Sequence, residues 1–293
     1  MKIELLKKHW FWSQVLKKTD LLNQLPSVIN NNIKISLYVF YGVVFHFLTD
    51  YLYHIDELLL FKSKLPLWSL FWIKAFPSNI SWSFIFVVTS SVINTFCLLR
   101  IENKRIRFLN FISFFLLFSA LNSNYKINHN LHALLIPLFF FSFIDLKKKE
   151  CYQNSLVFLT AVFSLLTLYT LSGLWKILRG LVHIVQSEKG IFNLDAMNRL
   201  LEYQFLYGQK TSLGLWLMEH TTIGFVALWS GILLEFFSII IFFYSKFHRI
   251  WGISLILLHI AISITMGVSF QYAYISIIPT LVLSPFYERN TFK

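Results

Sequence analysis

Eight predominantly apolar stretches recur along the chain, at 34–52, 80–99, 107–123, 129–145, 154–175, 222–244, 249–267 and 269–287. About 20 such residues carry an α-helix across the hydrocarbon of a bilayer, so each stretch reads as a span. The connections between them alternate in charge. Arg100, Lys104, Arg105 and Arg107, then Lys147, Lys148 and Lys149, then Lys246 and Arg249 occupy every second connection, and Lys7, Lys8, Lys17 and Lys18 precede the first span. Basic residues stay on the cytoplasmic side, so the alternation supports eight crossings with both termini in the cytoplasm. The connections 53–79, 124–128, 176–221 and a tight turn near Gly267 are then extracytoplasmic.

Composition excludes the main alternatives. With 56% hydrophobic and 14% charged residues, the chain has too little polar surface for a large soluble domain. A net charge of +12 could suggest nucleic acid, but the basic residues sit beside apolar runs, where orientation in a membrane puts them. Their expected partners are lipid headgroups. Cys97, near the inner end of a span, and Cys151, in a cytoplasmic connection, do not form an extracytoplasmic disulfide framework.

The expected fold is an all-α polytopic helical bundle with about eight transmembrane helices and additional interfacial helices. Residues 1–32, with Trp10, Phe11 and Trp12 among lysines, read as a cytoplasmic amphipathic segment rather than a cleaved signal peptide. Residues 33–288 form one transmembrane domain with an extracytoplasmic loop at 176–221, and 289–293 a short cytoplasmic tail. Two interfacial helices are expected. One lies in 53–79, where Trp68 and Trp72 neighbour Lys64 and Lys74 before Pro77; the other lies in 190–207, with Asp195 early and Gly208 just after it.

Ionisable groups inside hydrocarbon are costly, and that makes the few present here candidates for function. His46 and Asp50 lie on the first span, Asn128, His129 and His132 open the fourth, Lys176 ends the fifth, Glu235 sits in the middle of the sixth and His259 on the seventh. At about 1.5 Å of rise per residue, His46, Asp50, His129, His132, Lys176 and His259 fall in the outer half of the bilayer. Groups at one depth on different helices can bind a polar ligand or exchange protons. The plainer alternatives are histidines joining helices by hydrogen bonds and a lysine reaching up to the headgroups. A mid-span Glu235 must be protonated, paired or wet.

No metal is expected. His129 and His132 stand three residues apart and His259 could add a third ligand, but no HExxH motif, cysteine or acidic cluster accompanies them. Phosphate-binding glycine loops, GxSxG and CxxC are likewise missing from the sequence.

Three blocks resemble the horizontally transferred transmembrane family, the group that includes vitamin K-dependent γ-glutamyl carboxylases. NHNLHALLIPLFFF at 128–141 is similar to the family's asparagine-histidine block, and LYTLSGLWKI at 168–177 to its small-residue-then-lysine block. LLEFFSIIIFF and LLHIAISITMGVSF resemble its acidic and histidine helices. The resemblance implies Lys176 as catalytic base, with His129 and His259 as active-site histidines. His46, Asp50, Asn128, His132 and Glu235 would surround a reduced, vitamin K-like quinone cofactor, and the substrate would be a secreted or membrane peptide. After Lys176, ILRGLVHIV departs from the family's usual tryptophan and acidic residues, and no counterpart of the carboxylase's large extramembrane region is present.

Three functions remain open: a carboxylase-like membrane enzyme, a non-enzymatic maturation, export or immunity factor for a secreted peptide, and a proton-coupled transporter. Broken helices and paired repeats, which mark the last, are not evident in the sequence. A bacterial cell membrane is the expected location. The topology predicts that an impermeant thiol reagent on intact cells modifies a cysteine introduced at Gln209 and spares one at Lys148; the reverse pattern would overturn it.

Overall fold

Helices supply all the regular structure among the residues described by the computed structural model, which are 26–53, 82–122, 130–147, 151–268 and 271–286. Two compact units emerge, one built on Asn23–Val162 with Ile278–Pro285 and the other on Phe163–Ile277. The helices are α1 (Pro26–Tyr53), α2 (Trp82–Leu99), α3 (Lys104–Asn122), α4 (Asn130–Phe141), α5 (Cys151–Val185), α6 (Ala196–Tyr207), α7 (Ser212–Glu219), α8 (Thr221–Phe236), α9 (Ser238–Ile241), α10 (His248–Met266) and α11 (Gln271–Ile277). A π-helical turn, Ile278–Val282, follows α11 and contains Pro279, whose missing N–H suits a break in the regular ladder.

Among the described residues, three helical stretches are long and apolar enough to cross a membrane: Ile29–Tyr53, Gln153–Val185 and Ser245–Met266. A fourth span results if α7 and α8, bent by 114° at His220, count as one. The remaining expected spans are helical but fall short in length or apolarity. Phe84–Leu99 and Ala273–Val282 are apolar and short, α3 opens with Lys104, Arg105 and Arg107, and α4 has 12 residues with Pro137 inside.

Several boundaries differ from the sequence reading. The first helix starts at Pro26 rather than near 34, with proline at the position where its missing N–H costs nothing. The expected interfacial helix at 53–79 and most of the amphipathic segment 1–32 lie outside the described residues. The second expected interfacial helix forms as α6, flanked by Asp195 and Gly208. The turn at Gly267 also forms: its φ of 67° is left-handed, and its N–H reaches Ser263 O at 2.9 Å. The expected sixth span breaks at Phe237, and Thr170 Oγ1 accepts the freed N–H of Ile239 at 2.9 Å.

Buried polar side chains fasten the first unit. Asn94 donates to Tyr41 O at 2.9 Å and accepts from Asn110 at 2.8 Å, joining α1, α2 and α3. Arg107 is fully buried, and its guanidinium donates to the carbonyls of Phe141 (3.1 Å), Ile101 and Ile144. These are helix-end and turn carbonyls, of which Phe141 O also accepts the N–H of Ile144 at 3.4 Å, and the cation suits them electrostatically. Nearby, the Lys34 ammonium donates to Glu102 at 2.7 Å and holds that carboxyl below its ordinary range.

Arg107→Leu fills part of the same space but removes three hydrogen bonds and leaves the Ile101 and Ile144 carbonyls without this donor, each worth about 1–3 kcal/mol. The expected result is loss of monodisperse protein, or a large drop in its apparent melting temperature in detergent. An unchanged melting temperature would remove Arg107 from its structural role.

Candidate functional site

The second unit is organised by α5, which the sequence reading ended at Lys176 and which continues to Val185. The apolar residues of ILRGLVHIV sustain the helix through Arg179. It closes where Ser187 adopts φ 56°, Glu188 N–H bonds His183 O at 2.8 Å and Ser187 N–H bonds Ile184 O at 3.0 Å. This is the left-handed helix stop in which glycine is usual, and a serine at that position carries no stop signal. Residues 176–185 are therefore helix, and α6 and α7 occupy much of the expected loop 176–221.

The extension changes the meaning of Lys176. It lies nine residues inside the end of α5, about 14 Å along the axis at 1.5 Å per residue, rather than at a helix terminus. At that level Lys176 Nζ donates to Glu235 Oε2 at 2.5 Å, and Ser172 Oγ donates to the same oxygen at 3.2 Å. Glu235 is buried, whereas the lysine side chain is 41% exposed. The contact depends on close approach of α5 and α8. A Cβ on Gly173 would lie 2.6 Å from Phe236 N and 3.0 Å from Ile232 O, so only glycine fits there.

One face of α5 carries Tyr169, Ser172 and Lys176 at helical spacing. The Tyr169 hydroxyl is 2.7 Å from His259 Nε2 on α10, and the His259 ring also meets that of Tyr274 edge-on. His259 is within electrostatic range of Lys176, as Tyr169 is of Glu235. Two pairs, one ionic and one hydroxyl–imidazole, thus lie close together along three helices.

Lys176 and Glu235 open onto a cavity of about 620 Å³. α5 contributes Arg179, Gly180 and His183; the following connection contributes Lys189 and Gly190; α6 contributes Arg199 and Leu200. Leu217 of α7, Leu228 of α8 and Leu258, Ile262 and Met266 of α10 add an apolar wall. Glycines again permit the packing. A Cβ on Gly180 would meet Ile191 at 2.5 Å, and Trp229 Nε1 donates to Ile191 O at 3.1 Å, so the connection is held against α5 and α8. At the other end, Thr211 caps α7 and donates to Thr265 O at 2.5 Å, seating α7 on α10.

Of the residues singled out from sequence, Lys176 and Glu235 are in direct contact and both line the cavity. His259 is buried and connects through Tyr169. His46 and Asp50 are exposed on α1, in the other unit. Asn128 and His129 lie outside the described residues, and His132 is on α4. Among the described residues no group of three His, Cys, Asp or Glu side chains could hold a metal. Sequence reasoning missed Tyr169, Arg179, Lys189 and Arg199; a tyrosine in a span resembles its many aromatic neighbours, and the cations read as loop charge.

Broken helices are not evident in the sequence, yet α7 and α8 form an apolar pair bent by 114°, with the bend at His220 next to the expected span start at 222. No protein-family model, curated protein or solved structure matches the chain.

The glycine contact yields a prediction with an internal control. Gly173→Val should force α5 and α8 apart, costing about 1–3 kcal/mol and separating Lys176 from Glu235. Gly42→Ala, at a position with nothing within 4 Å of the added Cβ, should be neutral or slightly stabilising. Equal melting temperatures for Gly173→Val and the unaltered protein would show that the helices do not depend on this approach.

Proposed function

We propose that this chain is a membrane-embedded, carboxylase-like protein of the horizontally transferred transmembrane type, with eight spans in a bacterial cell membrane, in which Lys176 is a general base. The observation that carries the reading is the Lys176–Glu235 contact of 2.5 Å at the wall of a largely apolar cavity. A lysine acts as a base only after losing a proton, and Glu235 is an acceptor already in place. Proton transfer within the pair leaves a neutral amine facing the cavity and a neutral acid held by Ser172. Tyr169 and His259 form a second hydrogen-bonded pair that could carry a proton away from the site or keep the histidine tautomer fixed.

A quinone-type cofactor fits these surroundings. The cavity is in the range of about 300–1,000 Å³ typical of small-molecule sites, and Leu217, Leu228, Leu258 and Ile262 offer an apolar wall to its ring and chain. When bound, such a reduced cofactor would supply a weakly acidic hydroxyl. Lys176 would lie at its polar end, and the apolar wall would exclude bulk water. The peptide substrate of this reading would come from the secreted or membrane pool.

A second reading, a non-enzymatic binding factor for a secreted peptide, is favoured by the cluster of cations along the same cavity, which suits an acidic ligand without any chemistry.

Lys176→Ala and Lys176→Arg separate the two. If Lys176 is the base, both variants should lose at least about 100-fold in turnover of reduced quinone while folding normally, because arginine cannot give up its proton. Retention of full function in Lys176→Arg would reject the base and leave the binding role.

A further inference from the structure

The Lys176–Glu235 pair leaves most of the cavity's charge unaccounted for. Arg179, one turn beyond Lys176 on α5, makes no hydrogen bond or ion pair with any described residue. Arg199 donates through Nη2 to Gly190 O at 2.8 Å, yet its Nη1 is buried with no acceptor among the described residues. Lys189 and Arg199 share one carboxylate, Asp195, at 3.4 and 3.6 Å. His183 is occupied by Glu188 at 2.7 Å. With Glu235 balancing Lys176 and Asp195 divided between two cations, positive groups outnumber carboxylates around the lining among the described residues.

These cations are neighbours. Arg179 and His183 are one turn apart on the same face of α5, Gly190 lies against His183 so closely that its Cβ would be 2.9 Å from that of His183, and Arg199 holds the Gly190 carbonyl. The rest of the lining is apolar, with Leu200, Leu228, Leu258 and Ile262 provided by three helices. A cationic end and an apolar body match an anionic head on a hydrocarbon chain. Surplus positive charge and a pair of guanidinium groups, one with an N–H still lacking its acceptor, suit a dianionic phosphate better than a single carboxylate.

The geometry points to a binding site for a lipid phosphate monoester, with its head among Arg179, Lys189 and Arg199 and its chain along the wall of α8 and α10. This does not rest on the base role of Lys176, and the lipid chain would take the apolar wall in place of a quinone rather than beside it. A free phosphate shares the head chemistry and lacks the chain, so the two sources can be told apart.

The test is native mass spectrometry of the full chain released from neutral detergent, titrated separately with phosphatidate, phosphatidylglycerol, phosphatidylcholine and inorganic phosphate. One phosphatidate per chain should be retained, at least about tenfold more tightly than any of the others. Arg179→Gln and Arg199→Gln should each weaken it by about tenfold or more, the effect expected for losing a charge-assisted hydrogen bond. Lys246→Gln, whose side chain lies over the Phe247 ring away from this lining, should leave it unchanged. Should Arg199→Gln fail to fold, the exposed Arg179 decides by itself. Phosphatidylcholine or phosphatidylglycerol retained as well as phosphatidate, inorganic phosphate binding as tightly as the lipid, or unchanged binding in Arg179→Gln would each overturn the proposal.

Discussion

A carboxylate surrounded by apolar helices must have a partner, and much of the second unit is arranged around meeting that need for Glu235. An unpaired buried charge is among the most expensive features a fold can carry. Lys176 can reach Glu235 only because α5 passes close to α8, and that approach exists only because residue 173 has no side chain. The same approach lets Thr170, one turn earlier, satisfy the backbone N–H freed where α8 ends and α9 begins. One glycine therefore underlies both the ion pair and the repair of a helix break.

The first unit meets a related demand with backbone groups instead of a side-chain acid. In an apolar medium the carbonyls at helix ends have no water to turn to, and each one left bare is costly. Arg107 answers this with a guanidinium that serves three carbonyls from two connections. Its position near the start of α3 makes it look like one more cytoplasmic topology residue. Yet it is fully buried, while Arg105, two positions earlier, is exposed. Charge of one sign in one short cluster thus does two physical jobs, and only packing distinguishes them.

Apolar runs of span length made the helices themselves legible, and Gly267 marked a real helix end because its left-handed backbone favours glycine; Asp195 and Gly208 also flank α6, although Asp195 makes no side-chain cap and Gly208 is extended. The end of α5 was not legible, since Ser187 holds a conformation that glycine normally signals. That hidden extension puts Lys176 inside the helix and in contact with Glu235, two groups that the sequence reading set at different depths. The bend at His220 falls at the expected start of the sixth span, but the helix before it, α7, was hidden for a different reason. α7 and α8 are both apolar, and periodicity cannot register a change of direction between two apolar helices. Tyr169 was obscured by composition, because one tyrosine among so many aromatic residues carries no positional signal.

The bend and the extension together explain why the cavity exists where it does. A straight α7–α8 helix would carry α7 away along the same axis. The 114° turn instead brings Leu217 of α7 onto the cavity lining beside Leu228 of α8, while Thr211 anchors the start of α7 to the end of α10. The extra turns of α5 supply the opposite wall and carry Arg179 and His183 beyond Lys176. Four cations from α5, the following connection and α6 then face one space that contains a single lining carboxylate. Like charges gather in this way only where water or an anion can answer them, and a lining that is otherwise apolar offers water few further partners. The continuation of α5 and the helix α7, neither of them visible in the sequence, are therefore what build a site with a charged end and an apolar end, within reach of the Lys176–Glu235 pair.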